Sequence, residues 1–118
     1  MSGNVIYSYT ARQAVEDGVL VDVPDKLCCE AGFRWPVRIT RQVLHYATPG
    51  KRSRANGETL EGRLWDMLSM LGFRVRSVRT SDRTLVFTVK FGKHIRKLWA
   101  VVDTTSGPAI HIMTPEEY

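Results

Sequence analysis

The residue types that most often carry catalysis or bind metals are sparse in this chain and widely spaced. Its three histidines, His45, His94 and His111, lie far apart and do not form the HExxH spacing of a zinc site. Cys28 and Cys29 are adjacent, whereas a zinc site favours two cysteines separated by other residues. We therefore expect no metal and no cofactor, and we interpret the two cysteines as small, buried apolar residues of a short helix.

Carboxylates, hydroxyl groups and glycines give no stronger indication of catalysis. Tyr7, Ser8 and Tyr9 bring hydroxyl groups and Asp22 lies among apolar neighbours, but no general base accompanies them. No Walker loop or GxGxxG segment is present to hold a phosphate. We therefore predict that the protein is not an enzyme. A small hydrolase or transferase that uses the region from Tyr7 to Asp22 is the alternative.

Length and composition indicate one globular domain over residues 1–118. The chain of 118 residues is 43% hydrophobic and 25% charged, which is sufficient for a real core. No apolar run approaches the ~20 residues of a membrane span, and the first residues do not have the pattern of a signal peptide. The two adjacent cysteines argue against a disulfide framework. We expect a soluble intracellular protein in a reducing compartment.

The clearest periodicity predicts a long amphipathic helix over residues 59–71, which Gly72 would end. Its apolar residues recur at spacings of three and four and therefore share one face. They are Leu60, Leu64, Met67, Leu68 and Leu71. Glu61, Arg63 and Asp66 would then point outward, and Trp65 would lie at the margin of the apolar face.

After Gly72 the period changes to two, which predicts strands over residues 73–79, 85–91, 95–103 and 109–113. Turn residues separate them, so we expect an antiparallel β-meander of three to four strands. Phe73, Phe87 and Phe91 fall in the apolar registers of their strands and are predicted to be core residues.

The first half of the chain predicts shorter elements. We expect helices over residues 10–17, 24–31 and 40–47, the last with Thr40 as its N-cap. Short strands are expected over residues 19–23 and 33–39, and Pro36 would confine the second strand to an edge or a bulge. A flexible basic loop is expected near residues 48–58. The predicted fold class is α+β, with short N-terminal helices and one longer amphipathic helix packed on the meander.

Positive charge is concentrated in the second half of the chain. The net charge is +5, but residues 51–97 hold twelve basic and four acidic side chains. An acidic protein or a nucleic acid would bind such a surface, although antiparallel sheets also carry Lys and Arg on a solvated face. The candidate binding residues on this basic sheet face and rim are Lys51, Arg52, Arg54, Arg74, Arg76, Arg79, Arg83, Lys93, Arg96 and Lys97.

Several segments resemble an uncharacterised family of small proteins carried on bacterial plasmids, integrative elements and prophages. The opening has the pattern IYSYT…QA…DGVLVDV, and the similarity spans nearly the whole chain. The matching segments are residues 6–10, 13–14, 17–23, 31–37, 62–66 and 110–117. The order Ala11-Arg12 is reversed relative to the family pattern, and the segment after His45 is short.

The resemblance implies a setting on a mobile element rather than an activity. Small proteins in that setting often act by binding, for example by blocking a host CRISPR or restriction complex. We therefore predict a non-enzymatic binding protein that modulates or inhibits a host protein or ribonucleoprotein complex, with counter-defence of the anti-CRISPR type as the leading version. The alternative is a nucleic-acid-binding accessory protein that uses the basic sheet face.

Overall fold

The computed structural model describes residues 20–77, 83–104 and 107–117. Four helices and five strands lie in these ranges, followed by a 3₁₀ turn at Pro115–Glu117. In chain order they are β1 (Leu20–Asp22), α1 (Asp25–Glu30), β2 (Val37–Thr40), α2 (Arg41–Ala47), α3 (Lys51–Ala55), α4 (Leu60–Ser77), β3 (Thr84–Phe91), β4 (His94–Asp103) and β5 (Ala109–Met113). The predicted helix over residues 10–17 lies outside the described residues.

The strands form one mixed sheet in the order β1-β2-β5-β4-β3, and the fold is α+β. Neighbouring strands are antiparallel except β2 and β5, which are parallel. The consecutive antiparallel strands β3, β4 and β5 match the predicted meander. The predicted meander of three to four strands describes only part of the sheet, because β1 and β2 extend it beyond β5 and β2 pairs with β5 in parallel. Turn chemistry reveals local hairpins but not a pairing between distant segments.

Pro36 does not confine β2 to an edge, because the strand begins one residue later. Its carbonyl accepts a hydrogen bond from the backbone N–H of Ile110 at 2.9 Å. Proline keeps a carbonyl acceptor although it lacks an N–H donor, so it can precede a strand inside a sheet.

The helices α2 and α4 pack on one face of the sheet and, with α1, enclose a single core among the described residues. The long helix α4 lies against β3, and α2 lies against β1, β2 and β5. The register places every second residue of the strands on this face. Its fully buried side chains include Val37, Ile39, Phe91, Leu98 and Ile112 from the sheet and Met67, Leu68 and Leu71 from α4.

The long helix continues six residues beyond its predicted end, and the predicted strand over residues 73–79 was wrong. Phe73 and Val75, which suggested a strand, are 62% and 49% exposed on the helix. Gly72 is buried inside the helix and faces the Phe33 ring. An added Cβ would lie 3.9 Å from that ring. The prediction of Phe73 as core was also wrong, whereas Phe87 and Phe91 are buried as expected.

Several local predictions in the first half of the chain were confirmed, and one was wrong. The Thr40 hydroxyl accepts from the backbone N–H of Val43 at 3.3 Å and caps α2. Cys28 is buried as expected, whereas the expected burial of Cys29 was wrong, because it lies on the exposed side of α1; both are free thiols. The predicted loop over residues 48–58 contains helix α3, so that part of the loop prediction was wrong. Within the described ranges no helix has the length and apolarity to cross a membrane.

Candidate functional site

A groove of about 1030 Å³ lies at one end of the molecule, between α3, the first half of α4 and the hairpin of β3 and β4. We call it the cationic groove. Arg52 lines it from α3, and Lys90, Lys93 and Ile95 line it from the hairpin. Arg52 from the predicted basic loop and Lys93 from the predicted turn between two strands therefore line the same groove. The strand register places this groove at the end of the sheet opposite to α1. Val102, near the end of β4, pairs with β5 beside the start of β2, which follows α1 in the chain. His94, at the start of β4, therefore lies at the other end of the sheet, where the groove is.

Glycine at position 92 allows the hairpin to approach α4 closely. Gly92 has a φ of +62°, in the left-handed region that glycine adopts without strain. A Cβ at this position would lie 2.8 Å from Nη2 of Arg63, which is closer than real contacts allow. The hairpin turn therefore packs directly on the Arg63 guanidinium.

Arg63 is buried beneath the groove and holds neighbouring segments together; its side chain does not point outward. Its Nε and Nη2 donate to Oε1 of Glu58 at 3.1 and 2.8 Å, and its Nη1 donates to the Tyr46 carbonyl at 3.3 Å. The prediction that Arg63 points outward was wrong. It lies three residues after Leu60 and four before Met67, so helical spacing places it on the buried face. Its acidic partner five residues earlier was the signal that the sequence offered.

The free charge of the groove is positive, and its exposed apolar side chains are aliphatic. Glu58 neutralises Arg63, which leaves Arg52, Lys90 and Lys93 to face a single further carboxylate, Asp66, among the described lining residues. Ile95 is 73% exposed and Met70 is 41% exposed. Phe91, the aromatic residue that lines the described groove, is buried and offers no open ring for base stacking.

The other predicted binding residues do not form a common face. Lys51 and Arg54 are exposed on α3 beside the groove, and Lys97 is exposed on β4. The Arg96 guanidinium lies over the Tyr46 ring, 4.0 Å from its centroid, and links β4 to α2.

The arginines that were assigned to a strand lie on or after α4. Arg74 donates from Nε to the Val86 carbonyl at 3.2 Å, so it ties the helix to the edge strand β3. Arg76 and Arg83 lie at the opposite end of the sheet from the cationic groove. Arg79 lies outside the described residues. The expected arrangement of Arg74 and Arg76 on a basic sheet face was therefore wrong, because these residues are helical.

A row of charged and titratable residues crosses the other face of the sheet. Asp22 and Arg38 are cross-strand neighbours joined at 3.1 Å, and Arg38 lies beside His111. Nε2 of His111 is 3.6 Å from Oδ2 of Asp103, too long for a hydrogen bond. Burial lowers the pKa of His111 below its ordinary value of 6.5; nearby Asp103 opposes this shift and Arg38 adds to it. His111 is therefore neutral at neutral pH.

Acid is expected to destabilise the fold through His111. As the pH falls below about 6.5, the unfolded chain binds a proton at this residue more readily than the folded chain does. The free energy of unfolding should therefore fall between pH 7.5 and pH 5.5, and it should fall less in His111→Gln. Urea unfolding at the two pH values measures this, with the exposed His45→Gln as control. Equal pH dependence in wild type and His111→Gln would contradict the assignment.

The described residues hold no constellation that suggests catalysis. No group of three or more His, Cys, Asp or Glu side chains is placed to hold a metal ion within these ranges. Burial is the main cause that raises the pKa of the Cys28 thiol, so this cysteine is not an activated nucleophile. Asp22, the acid of the alternative enzymatic hypothesis, is exposed and paired with Arg38.

Two tryptophans are exposed on the described chain. Trp65, expected at the margin of the helix's apolar face, is 39% exposed, and Trp35 is 43% exposed. A comparison of the chain with protein-family models, with curated proteins and with solved structures found no match.

Proposed function

We propose that this protein acts by binding an acidic protein surface in its cationic groove, without catalysis. The observation that carries the proposal is that Arg52, Lys90 and Lys93 line one groove together with the exposed Ile95 and Met70. Protein interfaces commonly combine an apolar centre, in which methionine and arginine are enriched, with a polar rim. Lysines around the groove would steer an acidic partner and fix its orientation.

The aliphatic character of the groove favours a protein partner over a nucleic acid. Proteins that bind single strands usually stack bases on exposed aromatic rings. The described groove offers Ile95 and Met70 instead, with Phe91 buried behind them. The cations then serve to attract carboxylates, and the aliphatic side chains supply the contact area that is removed from water.

The resemblance of the chain to proteins of mobile elements supports a particular setting for this binding. In that setting the partner is a host complex in the bacterial cytoplasm, and a defence complex such as a CRISPR or restriction assembly is the leading candidate. The net charge of +5 is unlike that of an inhibitor that imitates DNA. The protein would therefore block such a complex by occupying an acidic protein surface.

Charge reversal in the groove is expected to abolish partner binding. We expect Arg52→Glu and Lys93→Glu each to reduce the amount of host protein co-purified with the tagged chain by about tenfold or more, since a tenfold loss corresponds to about 1.4 kcal/mol. Lys26→Glu, which reverses an exposed charge on α1 at the other end of the sheet, is the matched control. Quantitative mass spectrometry of the captured proteins measures the ratios.

The same variants connect binding to protection in cells. A plasmid or phage that carries the wild-type gene should survive the defence system better than one that carries Arg52→Glu, while Lys26→Glu should protect as wild type does. Capture of no host protein whose retention depends on Arg52 and Lys93, together with no protection, would contradict the proposal.

A nucleic-acid partner is the alternative outcome. Binding of labelled duplex DNA, single-stranded DNA or RNA that persists at near-physiological salt would support it. Each phosphate contact contributes about 0.9 to the slope of log K against log salt for duplex DNA, so Arg52→Gln/Lys93→Gln would lower that slope by about two contacts. Fluorescence anisotropy measures the slope. Weak binding that disappears as salt is raised agrees with the protein partner.

A further inference from the structure

A second cavity, of about 700 Å³, lies at the end of the sheet opposite to the cationic groove. We call it the upper cavity. Its floor is the helix-facing side of the sheet, where Leu85, Ala100, Val102 and Ile110 line it. Phe33 from the loop after α1 and Leu71 and Val75 from α4 form its walls. Its size and apolar lining are typical of sites that bind small molecules.

Gly72 contributes to the cavity by lacking a side chain. It is buried within α4, where glycine costs about 1 kcal/mol relative to alanine. The space where a Cβ would project is bordered by the Phe33 ring at 3.9 Å and by Nη1 of Arg76 at 3.4 Å. A larger residue at position 72 would therefore extend between the Phe33 ring and the Arg76 guanidinium, which both line the cavity.

Three exposed arginines line the opening of this apolar cavity. They are Arg34 from the loop after α1, Arg76 from the last turn of α4 and Arg83 just before β3. No aspartate or glutamate among the described residues lines the cavity with them. Within the same described ranges, none of the three guanidinium groups forms an ion pair. Among the described residues, the cavity thus combines an apolar interior with three arginines that no lining carboxylate neutralises.

We propose that the upper cavity binds a small amphipathic carboxylate, with its apolar body against Leu85 and Val102 and its carboxylate at the arginines. Burial of an alkyl or aryl body provides the affinity, and guanidinium groups are suited to bidentate contact with a carboxylate. Exposed Trp35 also lines the cavity, so an occupant would change its surroundings. This site is separate from the cationic groove, and its occupancy does not depend on the proposed protein partner.

Decanoate is a suitable probe, and decyltrimethylammonium is its cationic counterpart with an alkyl chain of the same length. Isothermal titration calorimetry with the purified full chain should show saturable binding of one decanoate, with at least about tenfold weaker binding of the cation. Tryptophan fluorescence should change in parallel, because Trp35 lines the cavity. Equal affinity for the two probes, or no saturable binding of decanoate, would overturn the proposal.

Two substitutions locate the site within the fold. Arg76→Gln, at an exposed position, should weaken decanoate binding about tenfold, because a charge-assisted hydrogen bond is lost. Gly72→Leu should fill the cavity and abolish binding, and Lys26→Gln on α1 should leave the affinity unchanged. Circular dichroism reports whether Gly72→Leu keeps its helix. If the helix is lost, the affinity of Arg76→Gln for decanoate tests the location of the site. Wild-type affinity in Arg76→Gln would overturn the assignment.

Discussion

Replacement of Leu68 by alanine is expected to lower the free energy of unfolding by about 3–4 kcal/mol. Leu68 has no exposed surface and belongs to the core cluster of the described residues. Truncation of a buried leucine loses the transfer free energy of its methyl groups and leaves a cavity that close-packed neighbours fill only in part. Urea unfolding at neutral pH measures the change.

Phe73→Ala is the informative control for this prediction because the residue lies on the same helix. Phe73 is 62% exposed, so its truncation should change the free energy of unfolding by less than about 1 kcal/mol. Alanine also has the higher helix propensity. If residue 73 lay in a core strand instead, the loss would be about 3–5 kcal/mol. A cost for Phe73→Ala equal to that for Leu68→Ala would therefore contradict the extension of α4 to Ser77.

Arg63→Ala is expected to lower the free energy of unfolding by about 2–3 kcal/mol. The substitution removes both hydrogen bonds to Glu58 and the bond to the Tyr46 carbonyl, and it leaves space under the turn at Gly92. Loss of one partner of a fully buried ion pair costs about 3–5 kcal/mol. The expected loss for Arg63→Ala is smaller than for a fully buried pair because 36% of the Glu58 side chain is exposed, against 10% of the Arg63 side chain.

A double-mutant cycle separates the ion pair from the other contacts of Arg63. Arg63→Ala and Glu58→Ala together should show a coupling energy of about 1–2 kcal/mol, since the two groups share a two-bond contact. Arg63→Lys should restore part of the stability through its charge but not the forked geometry. Additive effects of the two alanine substitutions would show that the ion pair contributes nothing, and that Arg63 acts through its bond to the Tyr46 carbonyl and through packing.

Local sequence patterns predicted much of the secondary structure in the described residues. The 3.6-residue spacing located α4, the Thr40 cap located α2, and period-two runs with turn residues located β3, β4 and β5. Each of these signals depends on residues close in sequence, which is why it could be interpreted without the tertiary structure. The predicted strand after Gly72 was wrong because alternation over a few residues fits the exposed end of a helix equally well.

The site depended on contacts that no local pattern contains. The parallel pairing of β2 with β5 joins segments about 70 residues apart, and it determines which loops meet at each end of the sheet. Arg52 and Lys93 were both named as candidates, but only the packing of α3 beside the hairpin places them in one groove. The roles of Arg63 and Gly92 become visible only when the hairpin turn lies on the guanidinium.

The most direct test of the proposed function is site-specific photo-crosslinking in the bacterial host. A benzophenone amino acid would replace Ile95 in the cationic groove, and in a separate control it would replace Lys26 on α1. We expect illumination to give a discrete adduct at position 95 that protease removes and nuclease does not, and no such adduct at position 26. An adduct at position 95 that nuclease removes, or no adduct at that position, would contradict the binding of an acidic protein in the groove.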